Sequence, residues 1–283
     1  MGPIRIVTDS TADVPTAMGS ELGIAVVPLQ VHLGKEVYRD GVDLSPQEFF
    51  DKLAHSSELP RTSQPPVGQF VETYQRLIDG ERSGGVVSIH IAGSLSGTIN
   101  AAWTAVQMLP DPTRVQVIDS GQLSMGIGWA AIEAARLAQS GSPLVEVSRA
   151  VRELVPRLRT VAMVDDLENL YKGGRITLIS AALGTALQIR PLLSIRHGEV
   201  SVWGKARTRA RAMKQLENRV RDWGPLVELA VLHTGAEPLA QHLADALNDL
   251  VPASRMLMLP AGSALTAHLA LGAVGVAAVA ASN

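Results

Sequence analysis

Gly85-Val86-Val87-Ser88-Ile89-His90-Ile91 runs into Ala92-Gly93-Ser94-Leu95-Ser96-Gly97-Thr98, and from there into Ile99-Asn100-Ala101-Ala102-Trp103-Thr104-Ala105. The first stretch is β-rich and largely apolar, which predicts a buried strand. The last predicts a helix. A loop of serine and glycine joins them. A strand, such a loop and a helix N-terminus present backbone N–H groups and hydroxyls together, an arrangement that binds phosphate or carboxylate. Thr62-Ser63-Gln64-Pro65 repeats the theme, with small hydroxyl residues where an extended segment gives way to a helix. The chain therefore reads as a binder of a small anionic group.

Working outward, the first half alternates strands and helices. Ile4 to Thr8 predicts a strand ending in Asp9-Ser10-Thr11, and Asp13 with Pro15 starts a helix to Leu22. Ile24 to Leu33 is β-rich. Ser45-Pro46-Gln47-Glu48 is a capping box with Pro at the first helical position. Val67, Phe70, Val71, Tyr74, Leu77 and Ile78 fall at helical spacing before Gly80. A strand from Val115 to Ile118 and a helix from Leu123 to Gln139 follow. This order predicts a parallel sheet with helices on both faces. Ligands of such sheets sit beyond the carboxyl ends of the strands. Asp9-Ser10, Ser94-Leu95-Ser96 and Asp119-Ser120 are therefore expected to share one site.

The second half is mixed. Ser142 and Pro143 open a helix toward Pro156, and a strand covers Thr160 to Val164. Pro191–Ile195 and Val200–Gly204 flank Arg196-His197-Gly198-Glu199, a predicted hairpin turn. A basic helix begins at Thr208, and strands are expected near Leu226–Leu232, Arg255–Leu259 and Gly275–Val279. The expected organisation is an N-terminal α/β domain over residues 1–145 and a C-terminal mixed α+β domain over 146–283.

Composition narrows the function. The chain has 283 residues, 46% of them hydrophobic, and a formal net charge of -2, so it has no general attraction for nucleic acid. There is no cysteine, which excludes disulfides and thiolate chemistry. The start of the chain has no apolar signal stretch, and a cytoplasmic location is expected. Met256 to Asn283 carries no Asp, Glu, Lys or Arg. Pro260, the glycines and a predominance of alanine there favour buried core over a transmembrane span.

The candidate polar residues each have a plain structural role to set beside a functional one. Thr62, Ser63 and Ser96 suit helix caps. His268 lies in an apolar setting that keeps it neutral. Most arginines of Arg207-Thr208-Arg209-Ala210-Arg211 suit a solvated helix face, although one near Thr208 could turn inward to meet an acid. Asp165-Asp166 lacks a third ligand for a metal, no zinc spacing occurs, and there is no phosphate-binding G-x-x-x-x-G-K-[ST] loop. A hydrolytic triad of Ser96, His268 and Asp119 is conceivable, but Leu95 stands where a nucleophile elbow needs serine.

Val7-Thr8-Asp9-Ser10-Thr11-Ala12-Asp13, Thr62-Ser63-Gln64-Pro65, Leu95-Ser96-Gly97-Thr98, Ile118-Asp119-Ser120, Asp165-Asp166-Leu167 with Gly174-Arg175-Ile176, and Arg207-Thr208 together resemble the DegV family. The resemblance covers nearly the whole chain. It implies two α/β domains with a tunnel between them for one long-chain fatty acid, such as palmitate, stearate or oleate, and no further cofactor. It implies presentation of the carboxylate to a separate fatty acid kinase subunit, which makes an acyl phosphate from ATP, while the binding subunit is not itself a catalyst. Carried onto this sequence, it makes Thr62, Ser96, Arg207 and His268 carboxylate partners. Ser63, Ser94 and Gly97 become additional head-group residues, and Arg175 lies where the kinase subunit docks. The alternatives are a serine hydrolase and a phosphate-ester-binding protein. Two departures from the family pattern are Ala92-Gly93 before Ser94 and Leu269-Ala270-Leu271 after His268.

Overall fold

The computed structural model describes residues 2–80, 83–176 and 189–282. Strand β1 (Ile4–Asp9), helix α1 (Thr16–Leu22) and strand β2 (Ile24–Val27) lead into β3 (Gln30–Leu33), β4 (Glu36–Arg39), helix α2 (Pro46–Ala54) and β5 (Arg61–Ser63). Then come α3 (Val67–Asp79), β6 (Gly85–His90), α4 (Thr98–Gln107), β7 (Val115–Asp119), α5 (Met125–Gln139) and α6 (Leu144–Leu154). The second half contains β8 (Leu158–Met163), α7 (Glu168–Lys172), β9 (Arg190–Arg196), β10 (Glu199–Ala206) and α8 (Arg209–Arg221). It ends in β11 (Leu226–His233), α9 (Glu237–Ala246), β12 (Met256–Pro260), α10 (Ser263–Leu269) and β13 (Val274–Ala280).

The expected parallel sheet is present, with four strands in the order β2-β1-β6-β7. A separate mixed sheet has six, β10-β9-β8-β13-β11-β12. Aromatic and alanine side chains of α3 and α4, Phe70, Tyr74, Ala101, Ala102 and Ala105, cover the outer face of the first sheet. Met213, Leu216, Ala240 and Leu243 of α8 and α9 cover the outer face of the second. Helix α5 fills the space between. Its alanines at 130, 131, 134, 135 and 138 are buried in one core with Ile6 and Ile89 of the first sheet and Ala230 and Ala277 of the second. Small side chains let both sheets approach the helix, and the Trp129 indole N–H anchors it by donating to Ala277 carbonyl at 3.2 Å.

Several local expectations hold for their stated reasons. Ser45 and Glu48 form the reciprocal capping box. Thr208 caps α8 by accepting from Arg211 N–H. His197 and Gly198, at φ 51° and 81°, make the tight turn between β9 and β10. The uncharged C-terminal stretch divides into β12, α10 and β13, and β13 lies between β8 and β11. No helix among the described residues is long and apolar enough to cross a membrane.

Other elements differ. The β-rich run from Ile24 to Leu33 is two strands in two sheets, because Pro28 cannot donate to a ladder. Strand β3 instead pairs antiparallel with β4 and β5 in a third sheet. This small sheet and Phe49 and Phe50 of α2 pack against Ala264 and Ala267 of α10. Asp13 and Ser142 do not cap their helices: Pro15 and Pro143 occupy the N-cap positions. Helix α6 buries Val147, Val151 and Leu154 in the same core as Ile4 and Ile6, so the chain enters the second sheet only at Leu158.

Ala270, which ends α10, has φ 59° and ψ −176°, a backbone region that strongly favours glycine. Ala270→Gly should raise unfolding free energy by about 1 kcal/mol, the relieved strain being partly offset by a freer unfolded chain. Denaturant melts of the two proteins measure this directly, and a less stable glycine variant contradicts it.

Candidate functional site

The carboxyl ends of β1 and β6 meet α10 and the small sheet around a cavity. Thr11, Thr62, Ser96, Arg175 and His268 supply its polar lining. Leu123, Leu170, Val200, Leu265 and Leu269 also line a second cavity, so the two adjoin along a shared wall. The walls of the second are largely aliphatic and come from β8, β9, β11, β13 and α10. The first cavity thus carries the polar groups, and its neighbour is largely apolar.

At the polar end, the Thr62 hydroxyl and His268 Nε2 are 2.8 Å apart. Strand β5 sets Thr62 toward the cavity, while the next residue, Ser63, turns to the other face and donates to Gln30 Oε1. Burial pushes the His268 imidazole down to about 4, and the positive charge of Arg175 adds to the effect. The ring is therefore neutral near pH 7. If Nε2 carries the proton, it donates to Thr62 and leaves the threonine hydroxyl free to donate to a ligand. Gly173 is needed beside the ring, since a Cβ there would lie 2.9 Å from His268 Nδ1. Ser96 precedes α4. Its hydroxyl accepts weakly from Thr98 N–H at 3.3 Å, so it combines a capping role with a place in the cavity wall. A side chain at Gly97 would have to displace the Gln64 amide, whose Oε1 would lie 1.8 Å from its Cβ.

Arg175 is the residue whose position differs most from expectation. It was expected on an exposed docking surface, yet its side chain is half-buried in the cavity wall. Its guanidinium donates to the carbonyls of Leu95 and Gly173 and has no carboxylate partner among the described residues. It is the one charged side chain among the described residues that line the polar cavity. The turn at Gly173-Gly174, with φ 72° at Gly174, brings it there. Arg207, expected to face the head group, is exposed and does not line the cavity. The arginine that turns toward an acid is Arg209, which with Arg190 holds Asp165.

Ser94 also lies outside the cavity, and its hydroxyl donates to Gly198 carbonyl. Asp119 accepts from the backbone N–H groups of Gly93 and Gly121 at 3.1 and 2.8 Å. His268 meets Thr62 rather than Ser96 or Asp119, so the three residues are not joined as a hydrolytic triad.

Two buried networks support the site. Thr11 donates to Asp9, whose other oxygen is 2.9 Å from His90 Nδ1, and the line continues through Ser88 to Tyr74. The second holds the start of α10. Asp13 accepts from Gly262 N–H at 2.9 Å and from Ser124 Oγ at 2.5 Å, and Asp40 accepts from Ser263 N–H at 3.0 Å. Burial pushes the Asp13 carboxyl up to about 7, and the Asp40 and Asp9 charges push it the same way. The pattern Asp9-Ser10-Thr11 was a visible signal for the first network. Nothing local linked Asp13 and Asp40 to a helix more than two hundred residues later.

The family model described as uncharacterised protein, DegV family, matches residues 3–281. Protein DegV of Bacillus subtilis is 32% identical over 277 residues, covering 96% of this chain and 98% of the relative. A DegV domain-containing protein of Streptomyces coelicolor is 35% identical over 276 residues, covering 96% and 97%. Among solved structures, a DegV family protein from Thermus thermophilus, described as binding fatty acid, superposes with TM-score 0.90 at 32% identity, covering 99% of this chain and 100% of that one. DegV from B. subtilis, described as a fatty acid binding protein, gives 0.87 at 30%, with the same coverage. A parallel sheet and a mixed sheet with adjoining polar and aliphatic cavities, a family match over residues 3–281 and relatives of similar length lead to one conclusion: this chain belongs to the DegV family.

Proposed function

We propose that this protein binds one long-chain fatty acid, with its carboxylate among Thr62, Ser96, His268 and Arg175 and its tail in the aliphatic cavity. The observation that carries the reading is an aliphatic cavity adjoining one that holds Arg175, an arginine with no carboxylate partner among the described residues. Burying about sixteen methylenes at about 0.8 kcal/mol each gives roughly 13 kcal/mol of gross driving force before association costs are subtracted. A buried carboxylate needs donors and a countercharge. The hydroxyls of Thr62 and Ser96 supply donors, and Arg175 supplies the charge. The fatty-acid-binding relatives of similar length support the same reading.

Palmitate, stearate and oleate are the ligands of choice for the test. Freshly purified protein should release such an acid on organic extraction. Thr62→Val and Ser96→Ala should each weaken palmitate binding about tenfold or more, the worth of a hydrogen bond to a charged group. Ser96→Ala should also lower stability by up to about 1 kcal/mol through its capping contact. Retained palmitate affinity in both folded variants, or no lipid bound at all, contradicts the assignment.

The finer reading is that the bound carboxylate is presented to a separate kinase subunit, which transfers phosphate from ATP to form an acyl phosphate. Support comes from the family resemblance carried by the motifs between Val7 and Thr208. The division of labour places the binding protein in the cytoplasm with its partner. It predicts no acyl phosphate from the isolated chain with ATP and Mg²⁺, and product only after a cognate kinase subunit is added. Robust product from the isolated chain would overturn it.

A further inference from the structure

The interior of β13 holds a glycine that its own backbone does not require. Gly275 is paired on one side with Ala162 of β8 and on the other with Leu232 of β11. Glycine inside a strand weakens it and marks a place where a ligand or another backbone comes close. The φ of Gly275 lies outside the left-handed region that favours glycine. A Cβ there would lie 3.1 Å from the Val161 carbonyl oxygen and 3.3 Å from Ala162 Cβ, contacts that a shift of a few tenths of an ångström relieves.

The register fixes which way these residues face. Val161, Met163, Leu192, Val231, Val274 and Val276 pack with α8 and α9 on the outer face of the sheet. Ala162, Leu193, Leu232 and Gly275 alternate with them and belong to the inner face. Cross-strand pairing sets Leu193, Ala162, Gly275 and Leu232 side by side on four adjacent strands. All four line the aliphatic cavity, and none of the four lines the polar one. The outer members of this row are leucines. The inner pair are glycine and alanine, the two smallest residues, so the row has a notch at its centre.

Building on the fatty-acid reading, we infer that Gly275, with Ala162 beside it, sets the length of acyl chain that the protein accepts. A chain whose carboxylate is held among Thr62, Ser96, His268 and Arg175 meets the wall shared by the two cavities first. Only the part of the chain beyond that wall reaches the notch. Short acids therefore end before it, and long ones lie in it. Each methylene seated there leaves water, and a side chain at 275 would take its place. The strand forgoes a packed side chain, and the cavity gains room for the far part of the tail.

The test titrates the delipidated full chain with octanoate, decanoate, laurate, palmitate and stearate. Wild-type affinity should climb with chain length, and Gly275→Val should level off at a shorter acid. Gly275→Ala should bind stearate about fourfold more weakly than the wild type, the worth of one methylene denied its place, while the shortest acid that binds is unaffected. Ala162→Val should change the series in the same direction. The two smaller changes, Gly275→Ala and Ala162→Val, carry the test if Gly275→Val does not fold. The inference is overturned if the folded variants bind every acid as the wild type does. It is overturned equally if they lose the same factor at every chain length, since a general disturbance of the sheet would do that. Failure of every acid to bind the wild type would instead overturn the underlying fatty-acid assignment.

Discussion

Arg175→Ala should reduce palmitate affinity by at least about a hundredfold while leaving the melting temperature nearly unchanged. The arginine faces a cavity whose other polar side chains are neutral near pH 7. Removing one member of a buried ion pair leaves the other charge uncompensated, at a cost of roughly 3–5 kcal/mol. That exceeds the loss of any single hydroxyl donor. In the apoprotein, the same substitution removes only hydrogen bonds to Leu95 and Gly173, so stability should change little. Arg175→Lys should fall between, keeping the charge but not the planar fork. The variant should also bind better in mild acid than at neutral pH. Loss of the arginine removes one of the two causes holding the His268 pKa down, and a bound carboxylate would raise it further. Calorimetric titration of palmitate at pH 5.5 and 7.5, with melts of the apoproteins, measures each part. Unchanged affinity in Arg175→Ala would place the carboxylate elsewhere.

The second large effect concerns pH. Asp13 has its pKa raised from 3.8 to about 7, so the folded state retains a proton that the unfolded chain loses. Its stabilising contribution is complete below about pH 4 and is lost as pH rises toward 7. His268 has its pKa lowered from 6.5 to about 4, so the folded state excludes a proton that the unfolded chain binds. Its contribution is present above pH 6.5 and is lost as pH falls toward 4. Across roughly pH 4 to 6.5 the two slopes oppose each other, and the wild-type curve should be flattened. Asp13→Asn should expose a stability that rises with pH through this window. His268→Gln should expose one that falls. One proton corresponds to at most about 1.4 kcal/mol per pH unit, so the two variants should diverge by up to about 2.7 kcal/mol per unit. His233, lowered by burial, acts in the wild type and both variants and drops out of the difference, whereas Asp40, also raised by burial, is coupled to Asp13 and its share changes in Asp13→Asn. Parallel curves for the two variants would refute the opposed titration.

Legibility in the sequence followed the range of the interactions. The strand, serine-glycine loop and helix around Ser96 are local, and so are the capping box at Ser45 and the turn at His197-Gly198. Each was readable from adjacent residues and is present in the structure. The small antiparallel sheet was not, because its strands have three or four residues each and mix polar with apolar side chains. The site divides in the same way. Thr62, Ser96 and His268 carried hydroxyl-loop and apolar-context signals, and the structure brings them to one cavity. The two arginines did not sort themselves. Arg207 and Arg175 are equally basic in sequence, and only the turn at Gly173-Gly174 and the exposure at the start of α8 distinguish them.

The contact between Thr62 and His268 spans 206 residues of sequence. Chain closure over such a distance comes late in folding and slows it. During synthesis, a nascent chain shorter than residue 268 has the first sheet, the serine loop and the small sheet, but no histidine to complete the polar cavity. The aliphatic walls contributed by β11, α10 and β13 are equally late, so early segments lack the second cavity. Competence to hold ligand therefore arrives as one of the last events in the molecule's biogenesis. Once it arrives, an occupant touching both Thr62 and His268 would fasten distant parts of the chain together and slow their local opening in amide exchange.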